Sequence, residues 1–301
     1  MIRLAIRVRR AQAEVVLAEL LELAPSGVEE IELDDGHVEY AVYGAPGELP
    51  NLPDLRAAAG DALVEISTSE TADDWQERWR EFHRPIVVRA GGWEGEGGAR
   101  DVHPRGSASR RDIPDALYVR PPWEAPASDG SGTSEIVIDP GRAFGTGAHA
   151  TTRMCLQLLL DLATAGLAGG PLIDLGTGSG VLAIAAARVG FAPVLALDHE
   201  VESVQAAREN AAVNRAEIQV ERFDLRFQTL ASVGRSALLA NLLLPLLLDL
   251  SRSIEERPTQ LIASGLLREQ ADEAADAFGS ALGLRERCRL HDGEWAALWL
   301  A

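Results

Sequence analysis

The chain has 301 residues, 47% of them apolar, and a formal net charge of −18 that arises from 46 acidic and 28 basic residues. Its length and apolar content predict one large or two modest globular domains with a sizeable core. The acidic balance argues against broad binding to a nucleic-acid backbone, because such binding needs a basic footprint.

Cysteine usage and hydropathy indicate the cellular compartment of the chain. The two cysteines, Cys155 and Cys288, have no metal-ligand spacing and do not suggest a disulfide framework. The first residues lack the apolar core of a signal peptide, and the longest apolar stretch, 237–248, is too short to span a bilayer. We therefore expect a cytoplasmic protein.

Residues 1–67 alternate between strand and helix patterns. The predicted elements are a strand at 3–8, a helix at 11–23, a hairpin of strands at 28–33 and 38–42, a helix at 52–59 and a strand at 62–66. This βαββαβ order is that of a ferredoxin-like α+β module. Because no catalytic cluster occurs in it, we interpret 1–67 as a substrate-recognition domain.

Residues 68–134 form a predicted connecting segment. A charged helix is expected at 72–82, where Trp75 and Trp79 lie on one face and are interpreted as packing residues. From residue 91 to residue 133 the composition is rich in Gly, Pro, Ser and Arg, and only 116–119 resembles a strand. Four arginines of this stretch are expected in a solvated loop, with weak RNA contact as the alternative: Arg100, Arg105, Arg110 and Arg111.

Residues 135–301 alternate regularly between strands and helices. Strands are predicted at 171–175, 194–198, 218–223, 237–241 and 260–264, and helices at 152–164, 181–189, 201–214, 245–255 and 268–282. Two final strands, 284–290 and 295–300, flank an Asp-Gly pair that signals a tight hairpin. The pattern predicts an α/β, Rossmann-like domain whose mostly parallel, seven-stranded sheet ends in an antiparallel hairpin.

Alternate glycines follow the first of these strands and precede a helix-forming run. After Asp174 come Gly176, Gly178 and Gly180, which let the backbone turn sharply and approach a ligand. Asp198 ends the next strand, where an acid accepts the ribose hydroxyls of a nucleotide. The third glycine comes one position too early for the dinucleotide fingerprint, so the pattern favours S-adenosylmethionine over a nicotinamide cofactor. The alternative is a turn that only packs a helix on a strand.

A second glycine-rich stretch, 139–149, precedes the first helix of this domain. Its glycines and Phe144 suit a segment whose backbone covers a small ligand. It lacks a Gly-Lys-Ser/Thr ending, which excludes a Walker phosphate loop. Thr151 and Thr152 stand at the expected helix start, and in the simplest interpretation one of them is the N-cap.

Three motifs together resemble the ribosomal protein L11 methyltransferase (PrmA) family of class I S-adenosylmethionine-dependent enzymes. They are Asp-Pro-Gly-x-Ala-Phe-Gly-Thr-Gly-x-His-x-Thr-Thr at 139–152, Asp-x-Gly-x-Gly-Ser-Gly-x-Leu-Ala-Ile-Ala-Ala at 174–186, and Ala-Asn-Leu at 240–242. The resemblance extends to the tryptophans of 72–82 and to 118–123, 265–267 and 294–295. The chain departs from the family at Ala150, where proline is usual, in the missing acid before 237–241, and in an apparent expansion at 91–115.

The resemblance implies which residues hold the cofactor and the substrate amine. Thr152, Gly176 and Asp198 would contact S-adenosylmethionine, Asn241 would lie beside the reactive sulfonium, and Asp224 would line the adenine side. The full set of implied cofactor residues is Phe144, Gly145, Thr146, Thr152, Asp174, Gly176, Gly178, Gly180, Asp198, Asp224 and Asn241. For catalysis it implies an orienting role for Asn241 and either a base or a structural role for His149. The histidines form no ligand motif, and no metal is expected.

The implied activity is methyl transfer to lysine ε-amino and N-terminal α-amino groups of ribosomal protein L11, by a monomer. The Asn-Pro-Pro-aromatic motif of amide and adenine N-methyltransferases is absent, since three leucines follow Asn241. Two alternatives stay open. One is a related methyltransferase that acts on another protein or a small amine, and the other is a cofactor-binding scaffold without catalysis.

Overall fold

The computed structural model describes residues 2–13, 16–17, 20, 28–33, 36–44, 49–50, 52–70, 83–91, 113–127, 132–140, 147–230 and 233–301. The chain divides into two compact units, Met1–Phe82 and His83–Ala301. Several features predicted from the sequence lie outside the described residues: the helix at 72–82, the four arginines between 100 and 111, and Phe144, Gly145 and Thr146. The domain boundaries after residues 67 and 134 stay predictions.

The first unit contains an antiparallel sheet in the order β2-β3-β1-β4. Its elements are β1 (Ile2–Arg9), β2 (Glu29–Glu32), β3 (His37–Gly44), helix α1 (Leu52–Ala59) and β4 (Leu63–Glu70). One face of the sheet carries the fully buried side chains of Ile6, Val8 and Tyr40, which share a core with Leu55 of α1. Tyr40 Oη donates to the carbonyl of Ala13 at 3.0 Å, so the polar end of this buried ring is satisfied. The strand order is that of the predicted ferredoxin-like module.

A three-stranded sheet opens the second unit, in the order β5-β6-β7. It consists of β5 (Ile86–Arg89), β6 (Ala116–Arg120) and β7 (Thr133–Val137). Only β6 was predicted from the sequence. The sheet packs its apolar residues into the main core of the unit, where Leu117, Val119 and Ile136 are almost fully buried.

The main sheet has seven strands in the order β10-β9-β8-β11-β12-β14-β13. They are β8 (Leu172–Leu175), β9 (Val194–Asp198), β10 (Ile218–Arg222), β11 (Ala237–Asn241), β12 (Gln260–Leu267), β13 (Glu286–Asp292) and β14 (Trp295–Leu300). The first five strands of this order pair in parallel, and β14 is antiparallel to both β12 and β13. The predicted parallel sheet with a terminal antiparallel hairpin is therefore confirmed.

Helices cover both faces of this sheet. They are α2 (Ala150–Thr164), α3 (Val181–Arg188), α4 (Val201–Asn214), α5 (Leu244–Ser253) and α6 (Ala271–Leu282). Neighbouring strand residues point to opposite faces, so Leu239 belongs to the core under α2 and α3, whereas Leu238 and Ala240 belong to the core under α5 and α6. Among the described residues, no helix is long and apolar enough to cross a membrane.

The strand order creates one switch point, and it fixes where a ligand would bind. The chain runs outward from β8 to β9 and β10 on one side, and then returns to place β11 and β12 on the other side of β8. In open α/β sheets, ligands bind outside the carboxyl ends of the strands at such a point. The carboxyl ends of β8, β9 and β11 are thus the expected site.

Candidate active site

A cleft of about 170 Å³ lies at the carboxyl ends of these strands. Its walls include Gly176 after β8, Asp198 at the end of β9, Asp224 after β10 and Leu242 after β11. Three of the cofactor residues implied by the sequence therefore line one cleft at the switch point of the sheet. Arg226 also lines this cleft, although no motif pointed to it.

The glycine-rich turn connects β8 to α3 and is fixed to the neighbouring strand. Gly176, Gly178 and Gly180 have φ angles of 71°, 54° and 83°, a region that side chains other than glycine rarely adopt. The backbone nitrogens of Gly176 and Thr177 both donate to the carbonyl of Leu197, at 2.8 and 3.0 Å. The turn is therefore held against the end of β9, directly beside Asp198.

Asp198 presents a buried carboxylate at this turn, with only 7% of its surface exposed. Its Oδ2 accepts a hydrogen bond from the backbone nitrogen of Gly178 at 2.9 Å, and its Oδ1 accepts one from Glu200 at 3.0 Å. A carboxylate has about four acceptor positions. His199 Nδ1 also lies 3.5 Å from Oδ1. The two backbone bonds therefore orient the group, and its remaining acceptor capacity is available to ribose hydroxyls.

Asp174 lies behind the turn rather than on the cleft wall. Its side chain is fully buried, and its Oδ2 accepts a hydrogen bond from the hydroxyl of Thr177 at 2.7 Å. Burial raises the pKa of this carboxyl to about 7, and the Thr177 bond opposes that rise. This contact gives Asp174 a role in shaping the turn from beneath.

The start of α2 differs from the simplest expectation for its threonines. The N-cap is His149, whose Nδ1 accepts from the backbone nitrogen of Thr151 at 3.4 Å and lies 2.8 Å from the Thr151 hydroxyl. Thr152 is fully buried, and within the described residues its Oγ1 has no hydrogen-bond partner. An unsatisfied buried hydroxyl is unfavourable, so a ligand atom that bonds to it would be stabilising.

The C-terminal hairpin contacts the same end of α2. The rings of His149 and Trp295 meet edge to face, with their centroids 4.9 Å apart. Next to them, Arg153 forms an ion pair with Asp292 and donates to the carbonyl of Ala148. Partial burial holds the pKa of His149 below its ordinary value, and the positive charge of Arg153 acts in the same direction. The imidazole is therefore neutral at neutral pH.

Asn241 ends β11 at the switch point. It pairs with Ser264 of β12, and the next backbone nitrogen, that of Leu242, donates to the Ser264 carbonyl at 3.0 Å. The side chain is half-buried, in contrast to the completely buried residues that precede it in β11. Asn241 is thus the last residue of β11, and it places a polar side chain at the carboxyl edge of the sheet.

Asp224 carries a charged carboxylate that another residue of the cleft already engages. Arg226 donates from Nε to Oδ1 at 2.9 Å and from Nη2 to Oδ2 at 2.8 Å, and this fork lowers the pKa of Asp224 to about 2. The pair forms one unit in the wall of the cleft. Among the described residues, no group of three or more acidic, histidine or cysteine side chains has an arrangement that holds a metal ion.

Comparison with known proteins identifies the family. The family model described as ribosomal protein L11 methyltransferase (PrmA) matches residues 111–301. The chain belongs to this family. The resemblance that the three sequence motifs indicated is therefore confirmed.

Individual members of the PrmA family show how far the similarity reaches. The chain is 34% identical over 232 residues to the ribosomal protein L11 methyltransferase of Symbiobacterium thermophilum, a match that covers 75% of this chain and 65% of that protein. It is 39% identical over 249 residues to the Geobacter metallireducens enzyme of the same name, covering 80% of this chain and 71% of that protein. The chain thus spans about two thirds of the length of these relatives.

A solved structure supports the same assignment at the level of the fold. The ribosomal protein L11 methylase of Lactobacillus delbrueckii subsp. bulgaricus superposes with a TM-score of 0.54 at 32% identity, covering 64% of this chain and 95% of that chain. The fold is that of a class I methyltransferase, as the strand order indicated.

Proposed function

We propose that this chain is an S-adenosylmethionine-dependent protein N-methyltransferase that acts on lysine ε-amino and N-terminal α-amino groups of ribosomal protein L11. The observation that carries the cofactor assignment is the position of Asp198. Two backbone nitrogens orient its buried carboxylate at the switch point, beside a glycine turn that leaves the backbone open to a ligand. The names of its PrmA relatives support ribosomal protein L11 as the substrate.

The residues present fit this cofactor. Asp198 keeps acceptor positions for a ribose diol, and the buried hydroxyl of Thr152 lacks a partner among the described residues. Asp224 and Arg226 line the cleft as one charged, preorganised unit, which an adenine ring would meet there. When bound, the cofactor supplies a methyl group on a sulfonium, which is already an activated electrophile.

The work left to the protein is to place a neutral amine in line behind that methyl group. A lysine amine has a pKa of about 10.4 in water, and burial in a closed site lowers it, which exposes the nitrogen lone pair. We assign Asn241 the task of orienting the amine with its amide oxygen, together with nearby backbone carbonyls. The proton leaves to water.

The geometry favours a structural role for His149 over that of a base. Its Nδ1 accepts from the Thr151 backbone nitrogen, which places the proton of the neutral ring on Nε2. The nitrogen that would accept a substrate proton is therefore already engaged in capping α2. The pKa shift keeps the ring neutral and maintains this cap.

The proposal includes a setting and a partner. A cytoplasmic monomer would dock on ribosomal protein L11 through its N-terminal unit. For Arg100, Arg105, Arg110 and Arg111 the solvated loop stays a prediction of the sequence, with weak RNA contact as its alternative.

Transfer of labelled methyl from S-adenosylmethionine to purified ribosomal protein L11 tests the function. Asp198→Ala is expected to abolish labelling, whereas Asp249→Ala, which removes an exposed acid on α5, is expected to leave it unchanged. No labelling by the wild type, with cofactor binding intact by calorimetry, would assign the acceptor to another protein or a small amine. Binding without turnover on any candidate would indicate a scaffold.

A further inference from the structure

Two asparagine side chains of α4 form hydrogen bonds with the backbone of β7 and of the residues that follow it. Asn214 Oδ1 accepts from the backbone nitrogen of Val137 at 2.8 Å, and its Nδ2 donates to the carbonyl of the same residue at 2.6 Å. One helical turn earlier, Asn210 Oδ1 accepts from the nitrogen of Asp139 at 3.0 Å. Since β7 is an edge strand of its sheet within the described ranges, these amides satisfy backbone groups on the side of β7 that faces away from β6.

Asn210 makes a second contact that Asn214 does not make. Its Nδ2 donates to the carbonyl of Ser179 at 2.8 Å, in the middle of the glycine-rich turn. The side chain is 3% exposed, and both ends of its amide are engaged. A single buried side chain therefore connects the turn to Asp139, two residues after the end of β7.

Three successive residues of the turn are each fixed by a residue in or just before α4. Gly178 donates to Asp198, and Ser179 accepts from Asn210. A Cβ on Gly180 would lie 3.1 Å from the Cα of Ala207, so the turn and the helix are in direct backbone contact there. Contacts with α4 and with Asp198 thus hold the turn in its conformation.

We propose that Asn210 is a positioning residue for cofactor binding, which couples the glycine-rich turn to the strand end that leads into 139–149. The inference rests on the proposed function, because it assigns the turn to S-adenosylmethionine. The chemical requirement is a neutral side chain that accepts from Asp139 at one end and donates to Ser179 at the other, as an amide does. A carboxylate of the same shape accepts at both ends and faces the Ser179 carbonyl with a negative charge.

Asn210→Asp tests this requirement, and Asn214→Asp is the matched control. Both changes are isosteric and lie on the same buried helix face, but only the first removes a bond to the turn. The dissociation constant for S-adenosylmethionine, measured by calorimetry, is expected to rise about tenfold or more in Asn210→Asp and less than about threefold in Asn214→Asp. In steady-state assays, the KM for S-adenosylmethionine should rise in Asn210→Asp while the KM for ribosomal protein L11 stays constant.

Amide hydrogen exchange supplies a readout that needs no ligand. The Gly178 amide, bonded to Asp198, should exchange faster in Asn210→Asp than in Asn214→Asp or the wild type. Should Asn210→Asp fail to fold, the neutral pair Asn210→Ser and Asn214→Ser takes its place with the same expected contrast.

Wild-type affinity in the Asn210 variants would overturn the inference, and so would an equal loss in the Asn214 control, because the effect would then belong to helix packing in general. Failure of the proposed function has a different signature. In that case the wild type does not bind S-adenosylmethionine, whereas the difference in Gly178 exchange between the two variants persists.

Discussion

Gly265 and Leu242 are in contact through their backbones. A Cβ on Gly265 would lie 2.4 Å from the carbonyl oxygen of Leu242 and 3.0 Å from its nitrogen, and Gly265 has a φ of +83°. On the other side, a Cβ on Gly176 would lie 2.5 Å from the Cδ2 of Leu242. Leu242 is thus confined between two glycines, and this confinement fixes the backbone directly after Asn241.

Gly265→Ala should therefore impair catalysis as well as folding. Alanine at positive φ costs about 1–2 kcal/mol in any position, and here the methyl group also displaces Leu242 and with it Asn241. We expect kcat for methyl transfer to fall about tenfold or more, measured with saturating substrates. Gly283→Ala is the control, since Gly283 has a φ of +66° with no atom within 4 Å of its Cβ position. Equal activities in the two variants would contradict the role assigned to the Gly265 contact.

The two threonines at the start of α2 predict opposite changes in stability. Thr151→Val removes the hydroxyl that bonds to His149 and should lower the free energy of unfolding by about 0.5–1.5 kcal/mol. Thr152→Val removes a buried hydroxyl without a partner among the described residues, so unfolding of the ligand-free protein should be unchanged or more difficult.

The change at Thr152, which should not lower the stability of the ligand-free protein, should lower its affinity for the cofactor. Thr152→Val is expected to weaken S-adenosylmethionine binding by about 3-fold to 10-fold, because the bound cofactor loses a hydrogen bond. Thermal unfolding with and without ligand measures both quantities. A Thr152→Val protein that is less stable without ligand, yet binds normally, would show that the hydroxyl has a structural partner instead.

The sequence predicted those parts of the site that backbone conformation determines. Gly176, Gly178 and Gly180 were recognisable because three left-handed φ angles in one turn require glycine, and Asp198 because an acid ended an apolar strand. The strands β5 and β7 were missed. They are four and five residues long, and each has a single buried position, so neither shows a clear alternation.

Contacts between distant segments could not be predicted in the same way. Asn210 bonds to Ser179 and Asp139, which lie 31 and 71 residues away in the chain. In the sequence it is only a polar residue in a helix, and nothing in the local pattern distinguishes it from a solvated one. His149 as the N-cap of α2 was missed because the adjacent threonines are the commoner capping residues.

Asp174 predicts a specific pH dependence of stability. Burial raises its pKa from 3.8 to about 7, so between these values the folded protein retains a proton that the unfolded chain releases. The folded state therefore binds more protons in this window, and the contribution of Asp174 to stability is lost as pH rises from about 4 to about 7.

Asp174→Asn removes this contribution and keeps an oxygen that accepts from Thr177. The free energy of unfolding of the variant minus that of the wild type should increase steadily from pH 4.5 to pH 7.5, in about the range that the two pKa values bracket. Urea unfolding at intervals of half a pH unit measures the difference. A difference that stays constant across this range would mean that Asp174 titrates normally.

Removing one or the other partner of the Arg153–Asp292 ion pair should shift the pKa of His149 in opposite directions. The charge of Arg153 lowers the pKa of His149, whereas the charge of Asp292 raises it. Arg153→Met should therefore raise the pKa of His149, and the effect is reinforced because Asp292 is left without its cation. Asp292→Asn should lower the pKa further, because Arg153 then acts on the ring without a counterion. Titration of the imidazole by NMR in both variants measures the shifts.

Arg252→Met serves as the control, since Arg252 pairs with Asp249 in an exposed pair on α5. It should leave the His149 titration unchanged.

Protonation of His149 removes the Nδ1 acceptor that caps α2, so the stability from this cap is present above pH 6.5 and is lost as pH falls through the lowered pKa. The loss begins near pH 6.5 in every variant, and it should end at higher pH in Arg153→Met and at lower pH in Asp292→Asn. Shifts of the same sign in the two variants would show that the ring senses local rearrangement rather than the two charges.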